Sequence, residues 1–349
     1  MNSMSTLQIG LAIVGALVLI AIAAHGAWSS RRNQPRQATA LGPEAGTPIN
    51  PGAGIEPGLD AAAFDVANFP LPVPEKRPSM DALIDVIAPI TLDGPVSGEA
   101  TLAAMPTTRR AGSKPFSIEG FNELSQRWET PQAGQRYSGF QAGVQLANRL
   151  GALNEIEYSE FVVKTQTFCD AINGTPDFPE MLEEVARARE LDQFAGDHDA
   201  QLGFVLRARN AAWSPGFVQQ HAARLGFVAG AMAGRMVLPA SAAGLPPVLS
   251  LSFDTQAALA DDPAQSAIRD VVLSLDVAQV DRGERAFERM REAALSLAET
   301  MDGVVTDDNG VLLPVAAMDV IGADLEQLYD TLDQRDLSAG SALARRLFS

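Results

Sequence analysis

The sequence predicts an α+β protein: a single N-terminal transmembrane helix, then split β-α-β sheet domains with helices on one face of a mainly antiparallel sheet. Three observations predict it. An apolar run lies close to the start, a proline- and glycine-rich stretch follows, and in the long remainder strand-like alternation and helical spacing recur in one order, then again.

The apolar run covers residues 7–28 and has no polar side chain from Ile9 to Ala24. An α-helix advances about 1.5 Å per residue, so roughly 20 apolar residues cross the hydrocarbon core of a bilayer. Leu7, Ile9, Leu17 and Ile20 fall on all its sides, whereas a surface helix would keep a polar stripe. Trp28 stands at the end, where amphipathic rings favour the headgroup layer. Arg31 and Arg32 follow directly, with Arg36 beyond, and no basic residue precedes the run. Positive flanks stay in the cytoplasm, so residues 1–6 are expected outside and everything after the span inside. The rival reading is a cleaved signal peptide, for which the alanines near residue 24 are suitable; a signal, however, carries its basic region before the apolar run.

Residues 29–79 read as a tether, with nine prolines and five glycines between positions 33 and 78. Proline removes backbone donors and keeps the chain extended, and so little bulk cannot bury a core. The formal net charge is -17, and with three arginines and no acid in the first 40 residues the rest carries -20. Such a body is repelled by phosphates, which argues against nucleic acid as a partner. A single cysteine, Cys169, excludes an internal disulfide and fits a reducing compartment.

From Met80 the elements follow in order. A strand at 82–90 leads through the turn Gly94-Pro95 to a short helix from Glu99, N-capped by Ser97 and stopped by Pro106. Strands at 114–129 and 136–149 are joined around 131–134. A helix at 157–172 carries Phe161, Thr165, Phe168 and Cys169 on one face and ends at Asn173-Gly174; a second helix follows at 178–194. The pattern then recurs. A strand at 201–209 precedes a helix opened by Ser214-Pro215, a good N-cap with proline at the first helical position. Next come a glycine-broken stretch at 227–238, strands at 247–255 and 268–277, and a helix at 284–301. A hairpin at 303–313 turns on Asp307-Asp308-Asn309-Gly310, and a last helix spans 316–332. Residues 336–349 read as a flexible tail. The boundaries expected are thus one α+β domain at 80–197, a second at 198–335, and a divergent tandem duplication relating them.

No catalytic constellation emerges. His25, His198 and His221 lie apart, and His198-Asp199 reads as a solvated pair at the domain junction. Cys169 sits on the apolar face of its helix and reads as a buried thiol. The acidic turn at 307–310 lacks the ligand spacing of a calcium loop. We therefore expect no enzyme, no cofactor, no metal and no small-molecule substrate. A membrane-tethered enzyme with a diffuse carboxylate site and a scaffold for some other cytoplasmic partner are the rival readings. What remains is an open sheet face. In one strand Leu249, Leu251 and Phe253 alternate with Ser250 and Ser252; in the next, Leu273, Leu275 and Val277 alternate with Val272 and Ser274. One set packs on the helices and the other faces out.

The anchor with its SSRR flank, Leu225 to Gly230 (LGFVAG), PVLSLSF, and MDGVVTDD after the long helix resemble the ZipA family of bacterial division proteins. The resemblance covers the anchor and residues 201–332. It implies an adaptor that ties the polymer-forming protein FtsZ to the inner membrane at the division septum, stabilises the ring and helps recruit later division proteins. The FtsZ C-terminal tail would enter a shallow apolar groove on the exposed sheet face of the domain at 198–335. By position that groove takes in Met232, Phe253, Thr255, Val272 and Ser274, the last a small residue where the family more often has a large apolar one. A one-residue slip in these strands would put the opposite set in the groove. The domain at 80–197 is an addition to the family pattern, and the tether is shorter than is usual there.

Overall fold

The computed structural model describes residues 35–38 and 80–349. The apolar run, Trp28, Arg31, Arg32 and most of the tether lie outside the described residues. Among those described, no helix is long and apolar enough to cross a membrane. Tertiary contacts divide the chain into two units. Of the described residues, the first holds 80–201 with Asp276–Arg285 and Ala323–Ser349; the second holds 35–38, Leu202–Leu275 and Ala286–Gly322.

The first unit opens with β1 (Asp85–Leu92) and α1 (Gly98–Ala104). Ser97 caps that helix as its sequence predicts, its hydroxyl accepting from the Ala100 N–H at 3.3 Å. Then come β2 (Lys114–Asn122), β3 (Arg136–Gln145), α2 (Glu155–Ile172), β4 (Gly174–Pro176) and α3 (Met181–His198). The strands lie in the order β2-β3-β1-β4, antiparallel throughout, with Ile118 opposite Ala142 and Ile90 opposite Phe140. Helix α2 starts two residues before its expected position because Asn154 and Glu157 form a capping box, each side chain accepting from the other's backbone N–H. Phe161 fills the centre, edge-on to Phe116, Tyr158 and Phe178, while Phe140 meets Phe168 edge to face at 5.3 Å.

Cys169 lies in this core, and burial pushes its thiol up to about 11. Only the thiolate attacks a disulfide reagent, so at pH 8 Cys169 of the folded chain is expected to resist modification and to react once urea opens the unit. A chromogenic disulfide reagent with and without urea reads this directly. Fast reaction in the absence of urea would show that the thiol is not sealed.

The His198-Asp199 pair is not a dyad. Both Asp199 carboxylate oxygens accept from Arg149, at 2.8 and 2.6 Å, and the same guanidinium also binds Asp276. His198 stacks on Phe194 with ring centroids 4.3 Å apart.

The second unit begins with β5 (Gln201–Ala208) and α4 (Pro215–Arg224), which Ser214 caps by accepting from the Phe217 N–H at 3.2 Å. It continues through β6 (Val228–Ala229), β7 (Arg235–Leu238), β8 (Leu249–Ser252), the short α5 (Thr255–Ala258), β9 (Asp270–Asp276), α6 (Ala286–Met301), β10 (Gly303–Thr306) and α7 (Val315–Asp333). Strand order is β6-β7-β8-β9-β5-β10. Amphipathic α6 puts Phe287, Met290, Ala294 and Leu297 into the core, and Phe287 meets Phe204 of β5 edge-on.

The hairpin expected at 303–313 is reduced. Strand β10 pairs along its length with β5, whereas its own return arm makes one bridge, Thr306 to Leu312. Pro314 follows at once and has no N–H with which to extend the ladder. The tight turn itself forms, with the Asp307 carboxylate accepting from the Asn309 and Val311 N–H groups.

Trp213 anchors this unit. It is fully buried, and its indole N–H donates to the Met301 carbonyl at 2.8 Å. Arg36, expected within the tether, docks beside it as one parallel bridge. Its N–H donates to the Ala212 carbonyl (2.7 Å), its carbonyl accepts from Ser214 (2.9 Å), and its guanidinium reaches Met301 O and the Asp302 carboxylate (2.7 Å).

The two sheets follow one path. The order β2-β3-β1-β4 of the first recurs as β8-β9-β5-β10 in the second. In each unit the long helix ends in a left-handed residue, Asn173 (φ 54°) or Asp302 (φ 57°), followed by a glycine that opens the edge strand. Each of those glycines faces the last residue of the unit's first strand, Gly174 opposite Leu92 and Gly303 opposite Ala208.

The tail corrects the expectation. Instead of a flexible end at 336–349, the chain forms α8 (Ala342–Leu347), N-capped by Ser341. Leu347 and Phe348 are buried in the first unit. Gln145 donates to the Arg346 carbonyl (2.8 Å), Gln279 donates to the Phe348 carbonyl (2.7 Å), and Arg346 pairs at 2.5 Å with Asp85, which is 2% exposed. Short, lightly apolar segments gain order from tertiary burial, which local pattern does not reveal.

Candidate functional site

Among the described residues, the second unit's sheet has one face against its helices and one face bare. Alternation sorts the residues. Leu249 and Leu251 of β8, and Val271, Leu273 and Leu275 of β9, are buried, while Ser250, Ser252, Val272 and Ser274 are half-exposed. Register then assembles the bare face in two rows. Val228, Val237, Ser250 and Ser274 stand side by side across β6-β7-β8-β9, and Arg235, Ser252 and Val272 form the next row. Cross-strand neighbours on one face lie about 5 Å apart, so these side chains make one continuous strip.

The sequence-predicted site residues divide. Val272 and Ser274 are on the bare strip. Met232 lies at the β6–β7 turn and is 61% exposed, at the strip's edge. Thr255 is exposed at the start of α5, whose cap is Asp254. Phe253 does not share the face: it is 7% exposed and continues the Leu249–Leu251 side into the core. Of the two sets that the sequence left open, the serines face out and the leucines with Phe253 face in. The Phe253 backbone is fixed by its N–H donating to the Gly234 carbonyl at 2.9 Å. Gly234 is left-handed (φ 75°), and a Cβ there would meet the Phe253 carbonyl at 2.7 Å, so that turn requires glycine. Val228 and Val237 escaped the sequence reading; Ser250 and Ser252 entered it as the alternate set of the Leu-Ser-Leu-Ser run.

Three valines and three serines make the strip shallow, and at its far side Arg207 of β5 pairs with Asp270 of β9 at 2.8 Å. The described residues hold no cluster of three or more metal-ligating side chains. Antiparallel sheets commonly keep one face in solvent, and here that face carries small apolar and hydroxyl side chains. Residues 257–323 match the family described as ZipA, C-terminal FtsZ-binding domain. The match spans 67 of the chain's 349 residues and likens that segment to the FtsZ-binding domain of cell division proteins. The matched stretch contains β9, α6 and β10, and with them Val272 and Ser274. No curated protein matches the chain.

Proposed function

We propose that the chain is a membrane-anchored adaptor that receives the FtsZ C-terminal tail on the strip of Val237, Val272 and Ser274. The observation that carries this reading is that β9, inside the family match, contributes Val272 and Ser274 to the one bare face of its sheet. The apolar run at 7–28 would be the inner-membrane span, with the N-terminus outside and both units in the cytoplasm at the septum. Binding, not catalysis, is the activity. A short peptide on so shallow a strip binds weakly, because it gives up its own freedom. A polymer that displays many tails to a membrane that carries many adaptors recovers attachment by avidity. Ring stabilisation and recruitment of later division proteins would follow from that attachment. The common strand order supports the first unit as a degenerate copy of the second.

The test is fluorescence anisotropy of a labelled FtsZ tail peptide titrated with the full chain in detergent. Val272→Glu is expected to weaken binding at least tenfold while leaving thermal unfolding nearly unchanged, since position 272 is half-exposed. Phe253→Glu, in the core, is expected to unfold the unit instead. Wild-type affinity in a folded Val272→Glu chain would remove the strip from the mechanism.

A further inference from the structure

The bare face of the second unit does not stop at β9. The Ala208 N–H donates to the Arg269 carbonyl and the Val277 N–H to the Ala200 carbonyl. Those bonds set β5 antiparallel to β9, with Gly203 opposite Ser274 and Val205 opposite Val272. Phe204 and Leu206 of β5 are buried, so Gly203, Val205 and Arg207 point to the open side. Beyond β5, Val205 stands opposite Thr306 of β10, and Thr306 bridges to Leu312, which is 65% exposed. The row of Arg235, Ser252 and Val272 therefore runs on through Val205 and Thr306 to Leu312. The row beside it runs from Val237 through Ser250 and Ser274 to Gly203, and its bulk falls from a valine to two hydroxymethyl groups to none. It ends in a notch.

Asp308 lies over that notch. The turn at 307–310 is closed by the Asp307 carboxylate, which leaves the next acid free to lean across the sheet. A Cβ at position 203 would meet the Asp308 Oδ1 at 2.9 Å, so any side chain there would displace the carboxylate. Asp308 is exposed and makes no hydrogen bond or ion pair among the described residues. Arg207 reaches the same turn at Gly310, but its charge is matched by Asp270, to which Nε and Nη2 donate at 2.8 and 3.4 Å. The strip thus has a floor without bulk, an apolar row alongside, and an uncompensated negative charge at the rim. A long aliphatic stem with a cationic head satisfies all three, since the stem lies along apolar surface while the head stays in water.

We propose that Asp308, held over Gly203, takes a lysine or arginine of the bound FtsZ tail, while apolar side chains of the tail lie along Val272, Val205 and Leu312. This rests on the tail-binding reading above and adds to it the chemistry of the ligand, a segment both apolar and cationic. Complementary charge at the edge of an interface supplies specificity and speeds encounter more than it adds affinity, and it weakens with salt.

The experiment titrates labelled FtsZ tail peptide with the full chain in detergent, at about 0.05 and 0.5 M salt. Asp308→Lys is expected to weaken binding about fivefold at the lower salt and much less at the higher. Glu288→Lys makes the same change of charge on an exposed turn of α6, across the sheet from the strip, and is expected to leave the affinity within about twofold at both. Tail peptides with each lysine or arginine replaced in turn by glutamine identify the partner. One replacement should weaken binding to the wild type about threefold and leave binding to Asp308→Asn unmoved. Thermal unfolding of all three chain variants is expected to match the wild type, because both positions are exposed. Binding that Val272→Glu abolishes but Asp308→Lys leaves intact would overturn the Asp308 subsite and leave the tail-binding reading standing. So would equal losses from Asp308→Lys and Glu288→Lys, or a glutamine series without effect. Failure of the tail peptide to bind the wild-type chain would overturn both.

Discussion

A chain ending at Gly340 is expected to lose about 6–9 kcal/mol of the first unit's stability. Burying Leu347 and Phe348 contributes about 1.5–3 kcal/mol each, and both are lost. Asp85 would keep its bond from the Asp81 N–H but lose Arg346. A buried carboxylate deprived of its cation costs about 3 kcal/mol or more. Domains hold only about 5–15 kcal/mol in total, so the truncated unit should populate open states under native conditions. Cys169 supplies the readout: sealed in the full chain, it should be modified at pH 8 without urea in the truncated one. If Cys169 stays protected and the urea midpoint does not move, α8 contributes nothing to the fold.

Trp213→Ala is expected to cost the second unit about 3–5 kcal/mol, the range for emptying a large buried aromatic site. Three things go together: the ring's packing, the indole N–H to the Met301 carbonyl, and the shelf on which Arg36 rests. Trp213→Phe separates them, since it keeps most of the apolar contact and removes the donor. It should cost about 1 kcal/mol, the net worth of one hydrogen bond, since the Met301 carbonyl still accepts from Arg36. Urea melts followed by circular dichroism measure both. An alanine variant within about 1 kcal/mol of wild type would mean that the site collapses around the missing ring.

What the sequence revealed was local. Ser97 and Ser214 were legible as caps because a cap is decided within a few residues, and Asn173-Gly174 was legible as a stop for the same reason. The family resemblance was legible in MDGVVTDD, and the matched segment contains it. Which face of β8 is bare was not legible. Period-two alternation defines two sets and does not say which meets the helices, and Val272, apolar yet outward, blurs the contrast in β9. Phe253 was accordingly assigned to the groove and belongs to the core. The tail escaped for another reason: its two buried apolar residues, Leu347 and Phe348, are read as core only when the surface that receives them is in view.

Arg36 has a mechanical consequence. Trp28 and Arg36 are eight residues apart, and no chain of that length stretches beyond about 28 Å. On the proposed anchor, the docked arginine therefore keeps the second unit on a short leash, while the rest of the tether lies beyond the docking point. Tension from a pulled filament would reach the bilayer through the Arg36–Asp302 pair and the Trp213 bridge before any of it reached residues 39–79. On that proposal, a load large enough to peel Arg36 away would pass to residues 39–79 in one step, and the contact would act as a mechanical fuse between polymer and membrane.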